Sequence, residues 1–179
     1  MRTTRKWKVA AAALALATVG GLVGVSPAGA DDTTTTFTLT AGGLTISVPA
    51  TSNLGSFPTG SASASGALGT VTVTDARGAL VATWTASVSS TSFTTGTATT
   101  DETVAASALG YTAGLPTAQT GVGVCAGLPQ SNLSTAKPAM NLTVGVGNNS
   151  CSWNPTLSAT LLSSQVAGTY SGTVTHSVA

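Results

Sequence analysis

The chain has 179 residues, of which only 6% are charged, and a formal charge of +1. Four of its six cations, Arg2, Arg5, Lys6 and Lys8, lie at the very start, so residues 31–179 keep only Arg77 and Lys137 against five acids, a formal −3. Nucleic acid and anionic membrane surfaces are thereby excluded as partners, since both require clustered Lys and Arg.

The basic start is followed by an apolar run from Val9 to Val25 and by Ala28-Gly29-Ala30, a small-x-small site. This order predicts a signal peptide over 1–30, cleaved to leave Asp31 first. The run is short and broken by Gly20, Gly21 and Gly24, which argues against a membrane anchor. No later apolar run is long enough to span a bilayer, so the mature chain is expected to have no transmembrane segment and to be secreted, extracellular or wall-associated. Low net charge and moderate hydrophobicity oppose disorder, and this length suffices for one domain with a core.

Residues 31–36 read as a flexible leader, and 37–179 as a single domain. Phe37–Thr40 and Leu44–Val48 alternate apolar and polar residues, predicting two short strands joined at Gly42-Gly43. Leu54–Gly69 reads as a Gly/Ser-rich loop with room for one short strand. Val71–Val88 predicts a hairpin, with Asp75, Arg77 and Gly78 as its structural turn and Ala82, Trp84, Ala86 and Val88 on one face. Phe93–Glu102 is a polar excursion, Val104–Leu109 a short strand, and Thr112–Pro138 irregular. Met140–Val146, a turn at Gly147-Asn148-Asn149, and Cys151–Trp153 suggest a second hairpin. Leu157, Ala159 and Leu161 mark another strand. Ala167–Val178 closes the series, with Tyr170, Val174, His176 and Val178 on one face and a Gly-x-Tyr entry similar to a tyrosine corner. Many short strands and no helical period predict an all-β fold, an antiparallel Ig-like β-sandwich.

The chemistry-bearing residues are few. Cys125 and Cys151 are the only cysteines, and in an exported chain they read as one disulfide, the alternative being two free buried thiols. Two thiols and one histidine, without tight ligand spacing, do not fill a zinc site, so no metal or cofactor is expected. Neither acid pair, Asp31-Asp32 or Asp101-Glu102, faces a common cleft as a glycosidase pair must. His176 and Asp75 are present among many serines, but no G-x-S-x-G elbow accompanies them. His176 reads as a packed or edge residue rather than a general base. Asp75 and Arg77 read as a carboxylate capping turn amides and pairing a guanidinium, against the alternative of a recognition patch. Trp84 and Trp153 are either sugar-stacking platforms or large core residues, with the core favoured for Trp84 and Trp153 undecided.

Val71-Thr-Val-Thr-Asp75-Ala-Arg77-Gly78, followed by Trp84-Thr-Ala86, resembles the WxL-type cell-surface domain of Gram-positive bacteria. The ending Ala167-Gly168-Thr-Tyr170 to Thr175-His176-Ser-Val178 is similar to that family's last segment, with Ala86 replacing the first leucine and His176 and Val178 the second Trp and Leu. The resemblance implies a secreted β-rich domain held noncovalently on cell-wall polysaccharide or on a partner surface protein. Carry-over from the family reaches Trp84 and the 176–178 segment with His176, and Trp153 joins them as a candidate contact residue through its own ring. The expected function is a noncatalytic surface protein. The alternative is a secreted enzyme inhibitor or small enzyme working through the Cys125–Cys151 loop.

Overall fold

The computed structural model describes residues 33–179; the signal peptide expected over 1–30 and the first two residues of the leader lie outside the described residues. A compact unit runs from Leu39 to Ala179. Its strands are β1 Leu44–Ser47, β2 Ser63–Ala67, β3 Val71–Asp75, β4 Trp84–Ser90, β5 Phe93–Thr94, β6 Thr103–Val104, β7 Leu109–Thr112, β8 Pro116–Gly127, β9 Gln130–Ser131, β10 Lys137–Trp153, β11 Thr156–Thr160 and β12 Val174–Val178. Two 3₁₀ turns, Thr100–Glu102 and Ala106–Ala108, are the only helical pieces among the described residues. Every strand pairing is antiparallel.

The larger sheet is built around β10. β8 runs along one side of it, while β3 and then β4 follow one another along the other. β1 extends the sheet beyond β3, and β12 extends it beyond β4. The smaller sheet has the order β2-β11-β7-β9, and β5 pairs with β6 as a separate ribbon. The two main sheets pack as an all-β antiparallel sandwich around Val71, Val73, Trp84, Ala86, Val88, Leu142 and Trp153 from one side and Leu109, Tyr111 and Leu157 from the other. Strand alternation places these residues, since side chains two apart share a face.

Several expected elements take another form. β3 and β4 do not pair, so Val71–Val88 is not a hairpin: the Asp75–Gly78 turn steps the chain along β10 instead of reversing it. Between them, Ala82 N–H donates to Gly145 O at 2.9 Å and Gly147 N–H to Ala79 O at 2.8 Å, so the connector also follows β10. The second hairpin is absent for the same reason, because β10 continues through Gly147–Asn149. Phe37–Thr40 forms no strand, Val104–Leu109 is split by a 3₁₀ turn, and the irregular stretch 112–138 contains the twelve-residue β8.

The parity of β10 explains how one strand serves both halves of the sheet. Met140 and Leu142 point into the core, and so do Asn149, Cys151 and Trp153, an even set followed by an odd one. The switch falls at a register shift after Thr143, where Val144 takes a left-handed conformation at φ 55°. That conformation costs a non-glycine residue roughly 1–2 kcal/mol. In return, one extra residue brings the second half back to face the core.

Candidate functional site

Asp75 ends β3 with a buried carboxylate. Its Oδ1 accepts from the Arg77 backbone N–H at 3.0 Å and from Arg77 Nε at 2.9 Å, and its Oδ2 from a terminal guanidinium nitrogen at 2.7 Å. The same guanidinium nitrogen donates to Thr83 O at 2.9 Å. The Arg77 hydrogen bond holds the Asp75 carboxyl below the usual range, against the desolvation that raises it, and Asp75 in turn raises Arg77. The pair is a clamp that carries the chain from β3 into the connector toward β4. All of its forked geometry is used internally.

Trp84 is 3% exposed and Trp153 is fully buried, so neither offers a ring face to a sugar. Trp84 Nε1–H donates to Oδ1 of buried Asn149 at 2.9 Å. Trp153 Nε1–H donates to Tyr111 Oη at 2.9 Å, and Tyr111 Oη lies 3.1 Å from His176 Nε2. An indole N–H can only donate. The Tyr111 hydroxyl therefore accepts from Trp153, and it shares a second hydrogen bond with His176 Nε2 whose direction follows the tautomer of the ring. Nδ1 is buried and has no partner. Burial pushes Tyr111 up to about 12 and lowers His176 below its ordinary value. This Trp–Tyr–His chain links the two sheets, and the Tyr111 and His176 rings meet edge-on with centroids 5.5 Å apart.

Glu102 and Tyr170 are also engaged, while Asn141 Oδ1 is buried without a partner. Glu102 Oε2 accepts from the backbone and hydroxyl of both Thr97 and Thr99, and the Thr99 backbone bond leads in lowering its pKa. Tyr170 O–H lies 2.9 Å from Val166 O and 3.1 Å from Asp101 O, the upstream-carbonyl contact expected of a tyrosine corner. Cys125 and Cys151 form the disulfide, with Cα atoms 6.6 Å apart. It ties β8 to β10 within one sheet rather than bridging the two sheets, and on the chain-entropy model a loop of this size contributes roughly 3–4 kcal/mol.

A cleft of about 850 Å³ lies beside the core, walled by the 48–61 loop and by residues 165–174, with Leu157, Leu161, Tyr170 and His176 on its lining. Among the described residues no group of three or more His, Cys, Asp or Glu is placed to hold a metal ion. No helix there is long and apolar enough to cross a membrane.

What the expected site residues leave open is the outer face of the larger sheet. Here hydroxyls align in register across four strands. One rank runs Thr45, Thr74, Ser150, Thr120, and the next runs Ser47, Thr72, Ser152, Ala118. Thr120 and Ser150 share a hydrogen bond at 2.6 Å, and Thr72 and Ser152 one at 2.8 Å. The signal for this face was present in the sequence as Ser/Thr-x-Ser/Thr repeats, but its width depends on which strands neighbour each other. No family model, curated protein or solved structure matches the chain.

Proposed function

We propose that this is a secreted, noncatalytic cell-surface protein that associates noncovalently with cell-wall polysaccharide, peptidoglycan in the first instance, through the hydroxyl face of its larger sheet. The observation that carries this reading is the rank of Thr45, Thr74, Ser150 and Thr120, an uncharged donor–acceptor surface four strands wide. Hydroxyls serve as both donors and acceptors, as sugar hydroxyls do, and desolvating them does not require stripping an ion. The ionisable groups support a noncatalytic role. Asp75 is held by Arg77, Glu102 by two threonines, and His176 by Tyr111. The export signal and the WxL resemblance point the same way. Contact through Trp84 and Trp153 is set aside because the core covers both rings.

The test is co-sedimentation of residues 31–179 with cell-wall sacculi of the host. Saturable pelleting is expected, and a Thr74→Glu/Thr120→Glu double variant with an unchanged melting curve should stay in the supernatant. A folded wild-type protein that never pellets sinks the reading.

A further inference from the structure

The outer face of the larger sheet changes character near its middle, where hydroxyls give way to aliphatics. Val122 of β8 stands directly opposite Val146 of β10, and Val124 opposite Thr143. Val144 follows on the strand. The connector carrying Leu80 and Val81 is bonded alongside through Ala82 N–H to Gly145 O. These six aliphatic side chains are exposed, from 46% at Val146 to 83% at Leu80. Isolated exposed aliphatics are ordinary, but a contiguous patch marks an interaction surface.

We propose that this patch is the contact between two copies of the chain, packed face to face across a twofold axis. The argument is first electrostatic. From residue 103 to residue 179 the only charged side chain is Lys137, which lies on the strand opposite Val88, away from the patch. The nearby ionised groups, Asp75 and Arg77, neutralise each other at 2.7 Å. A twofold contact sets the same surface against itself, and here that brings no like charges together. The second argument is area. A full aliphatic side chain carries roughly 120 Å² of apolar surface, so the six present about 450 Å² per copy. Two such patches bury about 900 Å², and Thr143 beside Val124 brings the total to about 1,000 Å², the lower end for a specific interface. The dimer is therefore reversible rather than obligate.

The contact runs through the face and not through the free edge of β8. Gln119 folds back along that edge, its Nε2 donating to Gly123 O and its Oε1 accepting from Cys125 N–H at 3.3 Å. It occupies backbone groups an added strand would need. Val144 contributes a further sign, since a branched side chain is held in a left-handed conformation at φ 55° and displayed to solvent where glycine would be unstrained.

This inference is independent of wall binding and is tested without wall material. Sedimentation equilibrium of residues 31–179 over a wide concentration range should show the weight-average mass rising toward twice the monomer value. Val122→Asp/Val146→Asp should weaken association at least tenfold. Leu80→Ser, which lies in the connector outside any strand, should weaken it too and confirms that the loss is not unfolding, provided its melting curve is unchanged. A monomer at every concentration overturns the proposal, and so does a dimer that both variants leave intact. Flotation of a monomeric wild-type protein with phosphatidylcholine vesicles would also overturn it, by assigning the patch to a lipid surface.

Discussion

His176 has one good hydrogen bond and one bare nitrogen, and that combination makes it pH-sensitive. Neutral, it shares a hydrogen bond with Tyr111 through Nε2. Protonated, both ring nitrogens become donors, the buried Nδ1–H has no acceptor, and a cation sits half-buried beside a core tyrosine. Burial accordingly lowers its pKa. The unfolded chain takes up the proton at about pH 6.5 while the folded chain resists, so the unfolded state binds more protons below that point. Stability is then full above about pH 6.5 and declines as pH falls through the folded pKa. We expect stability to fall as pH is lowered from about 7.5 to about 5, read from urea midpoints. A His176→Phe variant should show a flatter profile. The depressed carboxyls of Asp75 and Glu102 lose their contributions only at lower pH, below the ordinary carboxylate range, so the two effects separate.

At the level of elements, the informative contact is the one that replaces the expected hairpin. Gly145 lies so close to Ala82 O that a methyl group there would collide with it. Gly145→Ala should therefore push the connector off β10 and destabilise the fold by roughly 2–3 kcal/mol, measured by denaturant unfolding. If β3 and β4 paired as a hairpin, residue 145 would not meet Ala82 and the change would be nearly silent.

The same region marks how far the sequence could be read. Alternation put Ala82, Trp84, Ala86 and Val88 on one face and marked strands at Val71–Val73 and Leu157–Leu161, and the first face is buried as a whole, because the period of a strand is local. Turn chemistry at Asp75–Gly78 was also legible, but a turn does not announce which strand the chain meets next. β8 escaped notice because only Cys125 along it is buried. The residues alternating with Val122 and Val124 are Gly121, Gly123 and Cys125, so no apolar row is written there. The Asn149 side chain looked like part of a turn and is instead buried under Trp84 Nε1. Of the candidate site residues, the disulfide and the Asp75–Arg77 clamp were visible from type and spacing. The hydroxyl ranks were not, since they exist only after four strands from distant parts of the chain lie side by side.

Among the described residues the surface is made of hydroxyls and small apolar groups rather than ions. Such a surface has little for salt to screen. Both proposed contacts should consequently persist when ionic strength is raised from about 0.1 M to about 1 M, a range over which the Debye length falls from about 10 to about 3 Å. Sedimentation with sacculi, and sedimentation equilibrium alone, at the two salt levels check this. A loss of binding at high salt would assign the contact to Lys137, Asp101 or another of the few charges.

The position of β10 in the chain has a consequence for the order of events in folding. β3, β4 and β8 all take their main partner from residues 137–153. During synthesis these three strands, and the disulfide that needs Cys151, wait for a segment made after all of them. Pairings of such long sequence separation are slow to form because loop closure must come first. A chain that ends before residue 137 therefore lacks the main partner of all three strands and one half of the disulfide.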